Sequence, residues 1–99
     1  MMSLNRVIIA GNVTNKPTLE TIDNRKKAIL KIAIKDFWLD KNKNKVEKII
    51  NINVLCYGNL AENVSKYLDK GKKAMIEGKI ESENNKVFIN ANNIVFLEN

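Results

Sequence analysis

Helical spacing is confined to one short stretch of this chain, Tyr57 to Gly71, YGNLAENVSKYLDKG. Leu60, Val64, Tyr67 and Leu68 recur there at helical intervals and form one apolar stripe, which assigns Tyr67 to the core. Asn59 is placed to cap the helix, and Glu62 follows three residues later, as in a capping box. Gly71 can take the left-handed conformation that ends a helix. Strand patterns lie on both sides. A single short helix so placed suits a barrel that uses the helix to plug one end.

The strands follow from alternation and turn residues. Leu4 to Gly11 reads as the first strand, with a continuous apolar run from Val7 to Ala10. Val13 to Pro17 breaks it, and Thr18 to Ile22 can resume pairing. Asp23-Asn24 is a turn signal. Lys27 to Trp38 is the clearest strand. Ala28, Leu30, Ile32 and Ile34 face one way, and Ile29, Lys31, Ala33 and Lys35 the other. Lys41 to Lys45, KNKNK, is a short, polar, mobile loop. Glu47 to Tyr57 is the next strand, with Ile50, Ile52, Val54 and Cys56 on one face. The helix runs from about Leu60 to Leu68. Lys73 to Glu81 and Lys86 to Leu97 complete the set, joined at Asn84-Asn85, a pair that tolerates the positive φ of a tight hairpin. Three strands, a helix and two strands give an all-β OB-fold: a five-stranded Greek-key barrel with one short α-helix between strands 3 and 4. No linker or repeat divides the chain, so 1–99 forms one domain.

Charge narrows the function. The net charge is +6, from seventeen basic and eleven acidic residues. Between Thr14 and Lys48 ten basic residues stand against five acidic ones, whereas from Gly58 onward the two signs cancel. A one-sided positive field points to a polyanion; the plainer alternative is a solvated lysine- and asparagine-rich surface. Cys56 is the only cysteine and there is no histidine, which argues against a zinc site, an internal disulfide and histidine catalysis. The glycines form no phosphate-binding motif, and no paired carboxylates suggest a magnesium nuclease. The expectation is a non-enzyme with no cofactor and no metal. No apolar run is long enough to span a bilayer, and no signal-peptide core is present, so a cytoplasmic protein without membrane contact is expected, nucleoid-associated if the polyanion is DNA.

If the polyanion is a nucleic acid with open bases, aromatic platforms would hold the bases and cations the phosphates. Trp38 borders the KNKNK loop and is the best stacking candidate, the alternative being a core or oligomer-interface tryptophan. Tyr57 ends its strand on the face opposite Val54 and Cys56, as a platform or as rim packing. Phe88 leaves the face of Val87 and Ile89 and is either a third platform or core. Phe96 is assigned to core or interface, and Phe37 is left without a role. The expected cations are Arg25, Lys26, Lys27, Lys31, Lys35, Lys41, Lys43 and Lys45. Val7 to Ala10, with Ile29 and Ala33, offers more apolar surface than one small barrel needs, which implies a homo-oligomer.

Five strings carry a resemblance. They are Asn5-Arg6-Val7-Ile8-Ile9-Ala10-Gly11-Asn12-Val13 with Pro17, then Trp38 with Asp40-Lys41, then Tyr57-Gly58-Asn59-Leu60-Ala61-Glu62. Tyr67-Leu68-Asp69-Lys70-Gly71 and Ile76-Glu77-Gly78-Lys79-Ile80 follow. In order and at compatible spacing, they resemble the bacterial single-stranded-DNA-binding (SSB) family over nearly the whole chain from Leu4. The resemblance implies sequence-tolerant, non-catalytic binding of single-stranded DNA in replication, recombination and repair. It also implies a homotetramer, or alternatively a homodimer, and replication proteins as partners. It places Trp38 and Tyr57 at the family's aromatic positions. Three departures stand out. Asn51 occupies a position, six before Tyr57, that often carries a stacking aromatic. Glu81 and Glu83 stand where basic residues are usual, on a shortened hairpin. The family's acidic tail does not follow the barrel, which suggests a tail-less or truncated member. These departures keep an alternative open: a dimeric replication-accessory scaffold resembling primosomal protein B.

Overall fold

Asn84 and Asn85 have φ values of 54° and 64°, and Asp23 and Asn24 have 51° and 63°. Paired positive φ at both central residues defines the tight turn whose twist matches two antiparallel strands, so each dipeptide closes a hairpin. In the computed structural model, which describes residues 2–97, these turns join six strands and one helix. They are β1 (Val7–Val13), β2 (Thr18–Ile22), β3 (Arg25–Leu39), β4 (Lys45–Tyr57), α1 (Gly58–Tyr67), β5 (Lys73–Glu83) and β6 (Lys86–Leu97).

The sheet order is β1-β5-β6-β4-β3-β2, and β1 also pairs with β3, which closes the barrel. Neighbours are antiparallel except β4 and β6, which meet in parallel at Val54–Ile89 and Leu55–Asn90. The OB-fold expectation holds, with six strand segments rather than five. The extra one is β2. Val13 pairs with Ile32, and Thr18 with Ile29, so β1 and β2 lie end to end along β3. The Thr14–Pro17 step inserts residues that β3 does not match, and Pro17 has no N–H for the ladder. One barrel strand is thus split in two.

The first strand starts at Val7 rather than Leu4 because a side chain replaces the ladder there. Asn5 donates from Nδ2 to the Ile80 carbonyl and accepts at Oδ1 from the Ile80 N–H, both at 2.8 Å. At the other end, Val13 donates to the Lys72 carbonyl and accepts from the Gly71 N–H, each at 2.8 Å.

The core consists of the inward residues of these strands, among them Val13, Ala28, Leu30, Ile32, Val54, Cys56, Ile76 and Ile89. Ala61, Val64 and Leu68 of the helical segment close its end. In β6 the inward set changes parity, from Ile89 and Ala91 to Ile94. A bulge opposite Glu77/Gly78 skips Asn92 and re-aims the strand; without it Ile94 would face water. Gly11 and Gly78 mark the tightest crossings, where an added Cβ would collide with the carbonyls of Ala33 and Asn90.

The helix differs from expectation at both ends. β4 runs straight into it: Tyr57 is the N-cap in extended conformation, with no side-chain cap bond, and Gly58 turns the chain at φ 67°. The Asn59–Glu62 capping box does not form: Tyr57 is the N-cap, which leaves Asn59 inside the helix, and the Glu62 carboxylate pairs with Lys26 instead. The helix ends at Leu68, which returns to extended backbone, and Gly71 (φ 88°) shapes the following turn instead. Tyr67 is not core. It is 58% exposed, its ring centre 6.2 Å from that of Phe96, itself a rim residue rather than a buried one.

Candidate nucleic-acid interface

β3 and β4 pair in unbroken register from Lys27–Tyr57 to Leu39–Lys45. Alternation then sorts their side chains. Ala28, Leu30, Ile32, Val54 and Cys56 point into the barrel. Lys27, Ile29, Lys31, Ala33, Lys35 and Phe37 point out, opposite Tyr57, Leu55, Asn53, Asn51, Ile49 and Glu47.

Because β6 joins β4 near Leu55, the β5–β6 hairpin rises beside this outer face and makes it a trough. One hollow of about 460 Å³ has Lys27, Ile29, Asn53 and Leu55 as its floor, with Glu83, Asn84, Lys86, Val87 and Phe88 as its wall. A second, of about 260 Å³, continues past Ile29 and Asn53 to Lys31 and to Asn15, Lys16 and Thr18. A third, of about 300 Å³, sets Lys35 beside Lys73, Gly11 and Ala33. At the Tyr57 end, the guanidinium of Arg25 lies 4.0 Å from the ring centre.

The residues selected from sequence fall into three places. Lys27, Lys31 and half-buried Phe88 line the trough, with the Arg25–Tyr57 pair at its end and Lys35 beyond. Trp38, Lys41, Lys43 and Lys45 lie at the far end of the β3–β4 hairpin. Trp38 has the parity of the core set but stands past the barrel, opposite Val46 and 46% exposed. Lys26 points elsewhere, pairing with Glu62 on the helix.

The loop between β3 and β4 is a built turn. Oδ1 of Asp40 accepts from the N–H groups of Asn42 (2.9 Å) and Asn44 (2.8 Å), and Lys43 takes φ 63°. Ile8 and Ala10 face outward as expected, whereas Val7 and Ile9 of the same run pack against the core.

Sequence reasoning missed Ile29, Asn53 and Leu55 as floor residues and Lys16 and Lys86 as flanking cations. Their signal was available: Asn53 and Leu55 alternate with Tyr57, and Ile29 with Lys31. Of the two departing glutamates, Glu81 is engaged by the Asn90 amide at 2.9 Å, while Glu83 lines the trough. Burial pushes the Cys56 thiol up to about 11 from 9.0, so this side chain is no nucleophile. Among the described residues no group of three or more His, Cys, Asp or Glu side chains could hold a metal ion. Nor, among the described residues, is any helix long and apolar enough to cross a membrane.

A closed barrel of this order, plugged by one helix, is an OB fold, and its β3–β4 face carries a trough lined by lysines, with Phe88 in its wall and Tyr57 at its end. The description of the single-strand binding protein family matches residues 4–93, and the chain belongs to that family. It is 34% identical over 82 residues to a single-stranded DNA-binding protein of Neisseria meningitidis, covering 82% of this chain and 47% of that one. It is 35% identical over 86 residues to single-stranded DNA-binding protein 1 of Xylella fastidiosa, covering 85% and 63%. The chain thus spans about half to two thirds of the length of these relatives. The fold matches the SSB of Plasmodium falciparum, solved with single-stranded DNA, at TM-score 0.88 and 23% identity over 99% of this chain and 98% of that one. The single-stranded DNA binding protein of Thermus aquaticus, solved as a deletion mutant, matches at TM-score 0.83 and 26% identity over 96% and 51%.

Proposed function

We propose that this chain binds single-stranded DNA without sequence preference and without catalysis. It coats exposed strands in the cytoplasm during replication, recombination and repair. The observation that carries this reading is the trough: an open, apolar-floored groove along β3 and β4, lined by Lys27, Lys31 and Lys16 and ended by the Arg25–Tyr57 pair. Stacking on aromatic faces contributes about 1–3 kcal/mol per base whatever the base, and phosphate contacts add a salt-dependent term.

The test is a titration with oligo(dT) at several salt concentrations, followed by Trp38 fluorescence. Quenching and a steep salt dependence are expected, with about −0.7 in the slope of log K against log salt for each neutralised phosphate. A slope near zero removes the electrostatic basis of the reading.

Assembly belongs to the same proposal. Ile8, Val95 and Leu97 are 55%, 38% and 40% exposed on the outer side of β1 and β6, where β5 joins them through Met75. This apolar surface supports a symmetric homo-oligomer, a tetramer or else a dimer. Light scattering showing a stable monomer at micromolar concentration would reject it. The occluded site size separates a wrapped tetramer from a dimeric accessory scaffold, since wrapping takes up many more nucleotides.

A further inference from the structure

Phe37 is 48% exposed, and the ammonium of Lys45 sits 4.3 Å from its ring centre. The unbroken β3–β4 register gives it the same outward parity as Lys27, Ile29, Lys31 and Lys35, and therefore the trough's own face. Trp38, one residue later, points to the other side of the hairpin. Apart from Phe37, no outward side chain of either strand between Tyr57 and the hairpin tip is aromatic: β4 offers Leu55, Asn53, Asn51, Ile49 and, directly opposite Phe37, Glu47. The ten residue steps from Lys27 to Phe37 span up to about 33 Å at the rise of a strand. The outward residues of β3 and β4 therefore carry aromatic rings only at the two ends of the trough, Tyr57 and Phe37, each with a cation on it, while Phe88 stands in the β5–β6 wall.

We infer that Phe37 is a base-stacking platform for single-stranded DNA at the outer end of the trough, and that Trp38 serves a separate stretch of strand on the opposite face of the hairpin. The inference rests on the proposed DNA-binding function and adds a site to it. A half-exposed ring gives a base an apolar face. Lys45 and Lys35 stand beside it to meet the phosphates on either side of the stacked nucleotide. The lysine contact also orients the ring before DNA arrives, which reduces the ordering cost on binding. Stacking on Phe37 compensates for Asn51, whose amide offers a poor stacking surface inside the trough.

The experiment uses the full chain, oligo(dT), and the variants Phe37→Ala, Phe37→Leu and Phe37→Tyr, read by Trp38 quenching. Alanine and leucine should each weaken binding roughly five- to a hundredfold, and tyrosine should retain it. The salt slope should hardly change in the leucine variant, because a neutral ring meets no phosphate. Ultraviolet cross-linking to thymine should map to Phe37 as well as Trp38. If the wild type binds and the alanine and leucine variants bind equally well, Phe37 is no platform and this inference alone fails. If the variants lose affinity only together with a change in oligomer mass by light scattering, Phe37 is a subunit contact and the inference fails too. A wild type that does not bind oligo(dT) overturns the functional reading itself. Circular dichroism of each variant checks that the barrel is intact.

Discussion

The guanidinium of Arg25 lies 4.0 Å from the centre of the Tyr57 ring, so the inner end of the trough presents a cation stacked on its aromatic before any base arrives. A base reaching Tyr57 either displaces the guanidinium or stacks on its outer plane. In both cases the two side chains act as one unit. Tyr57→Ala is expected to cost about 1–3 kcal/mol of oligo(dT) binding, and Tyr57→Phe to cost little, because the ring face supplies the energy. Arg25→Ala should weaken binding and reduce the salt slope by up to about 0.7. The double variant should lose less than the two single losses added together, since residues in direct contact do not add. Strict additivity in that double-mutant cycle would separate Arg25 from Tyr57 functionally.

The barrel was legible because its signals are local. Asn84-Asn85 and Asp23-Asn24 declare their hairpins through side chains that tolerate positive φ, and Ala28-Leu30-Ile32 declares its inward face through period two. What escaped was non-local. The break at Val13 to Pro17 was itself legible, but that both halves align on β3 was not, and the parity change at Asn92 depends on its β5 partners. The capping box failed because β4 runs straight into the helix at Tyr57 and leaves Asn59 inside it, while Glu62 pairs with Lys26, thirty-six residues away in sequence. The site was half legible for the same reason. Composition singled out lysines and a tryptophan; alternation alone puts Phe37 on the face of Lys31, but the unbroken β3–β4 pairing is what shows that no bulge reverses it before Trp38.

Gly11 sets a stability prediction. A Cβ there would run into the carbonyl oxygen of Ala33 and approach Cγ2 of Ile32 to 2.8 Å, at the crossing where β1 passes from β5 to β3. Backbone cannot yield at that point without opening the barrel. Gly11→Ala should destabilise the fold by about 1–3 kcal/mol, the usual cost of overpacking. Urea denaturation monitored by circular dichroism measures it. Gly58→Ala has open space around it but keeps φ 67°. It should cost about 1 kcal/mol, from conformational strain alone. Equal losses at the two positions would mean that the β1–β3 crossing is looser than its geometry.

Cys56 sets a pH prediction. It is fully buried, and desolvation pushes its thiol up to about 11 from 9.0. The unfolded chain therefore gives up this proton first. Between about pH 9 and 11 the native state holds a proton that the unfolded state has lost, so stability falls as pH rises through that window; below it the group contributes nothing. The slope approaches roughly 1.4 kcal/mol per pH unit for a single group. Denaturant midpoints across this range should fall less steeply in Cys56→Ala than in the parent. At pH 8 the native thiol should resist an aromatic disulfide reagent that reacts fully after denaturation. Fast native reaction would show the barrel opening locally at β4.

The hairpin-tip lysines give the sharpest separation of binding from folding. The turn is held by Asp40, whose carboxylate accepts from the backbone of Asn42 and Asn44. No lysine side chain takes part in those bonds. Changing Lys41, Lys43 and Lys45 together to alanine should therefore leave the urea midpoint nearly unchanged, as exposed charges contribute little to stability. Binding to oligo(dT) should weaken, and the salt slope should flatten by up to about 2 units if all three meet phosphate. Lys45 also rests on Phe37, so Lys41→Ala/Lys43→Ala is the cleaner pair for the purely electrostatic part. The control must avoid Lys73, which shares a hollow with Lys35. Lys66 and Lys70, at and beyond the end of α1, suit that purpose, because the helix packs mainly against β3 from the core side, away from the trough. If losing that control pair weakens DNA binding more than losing the tip lysines, the strand runs over the helix end of the barrel and not along β3 and β4.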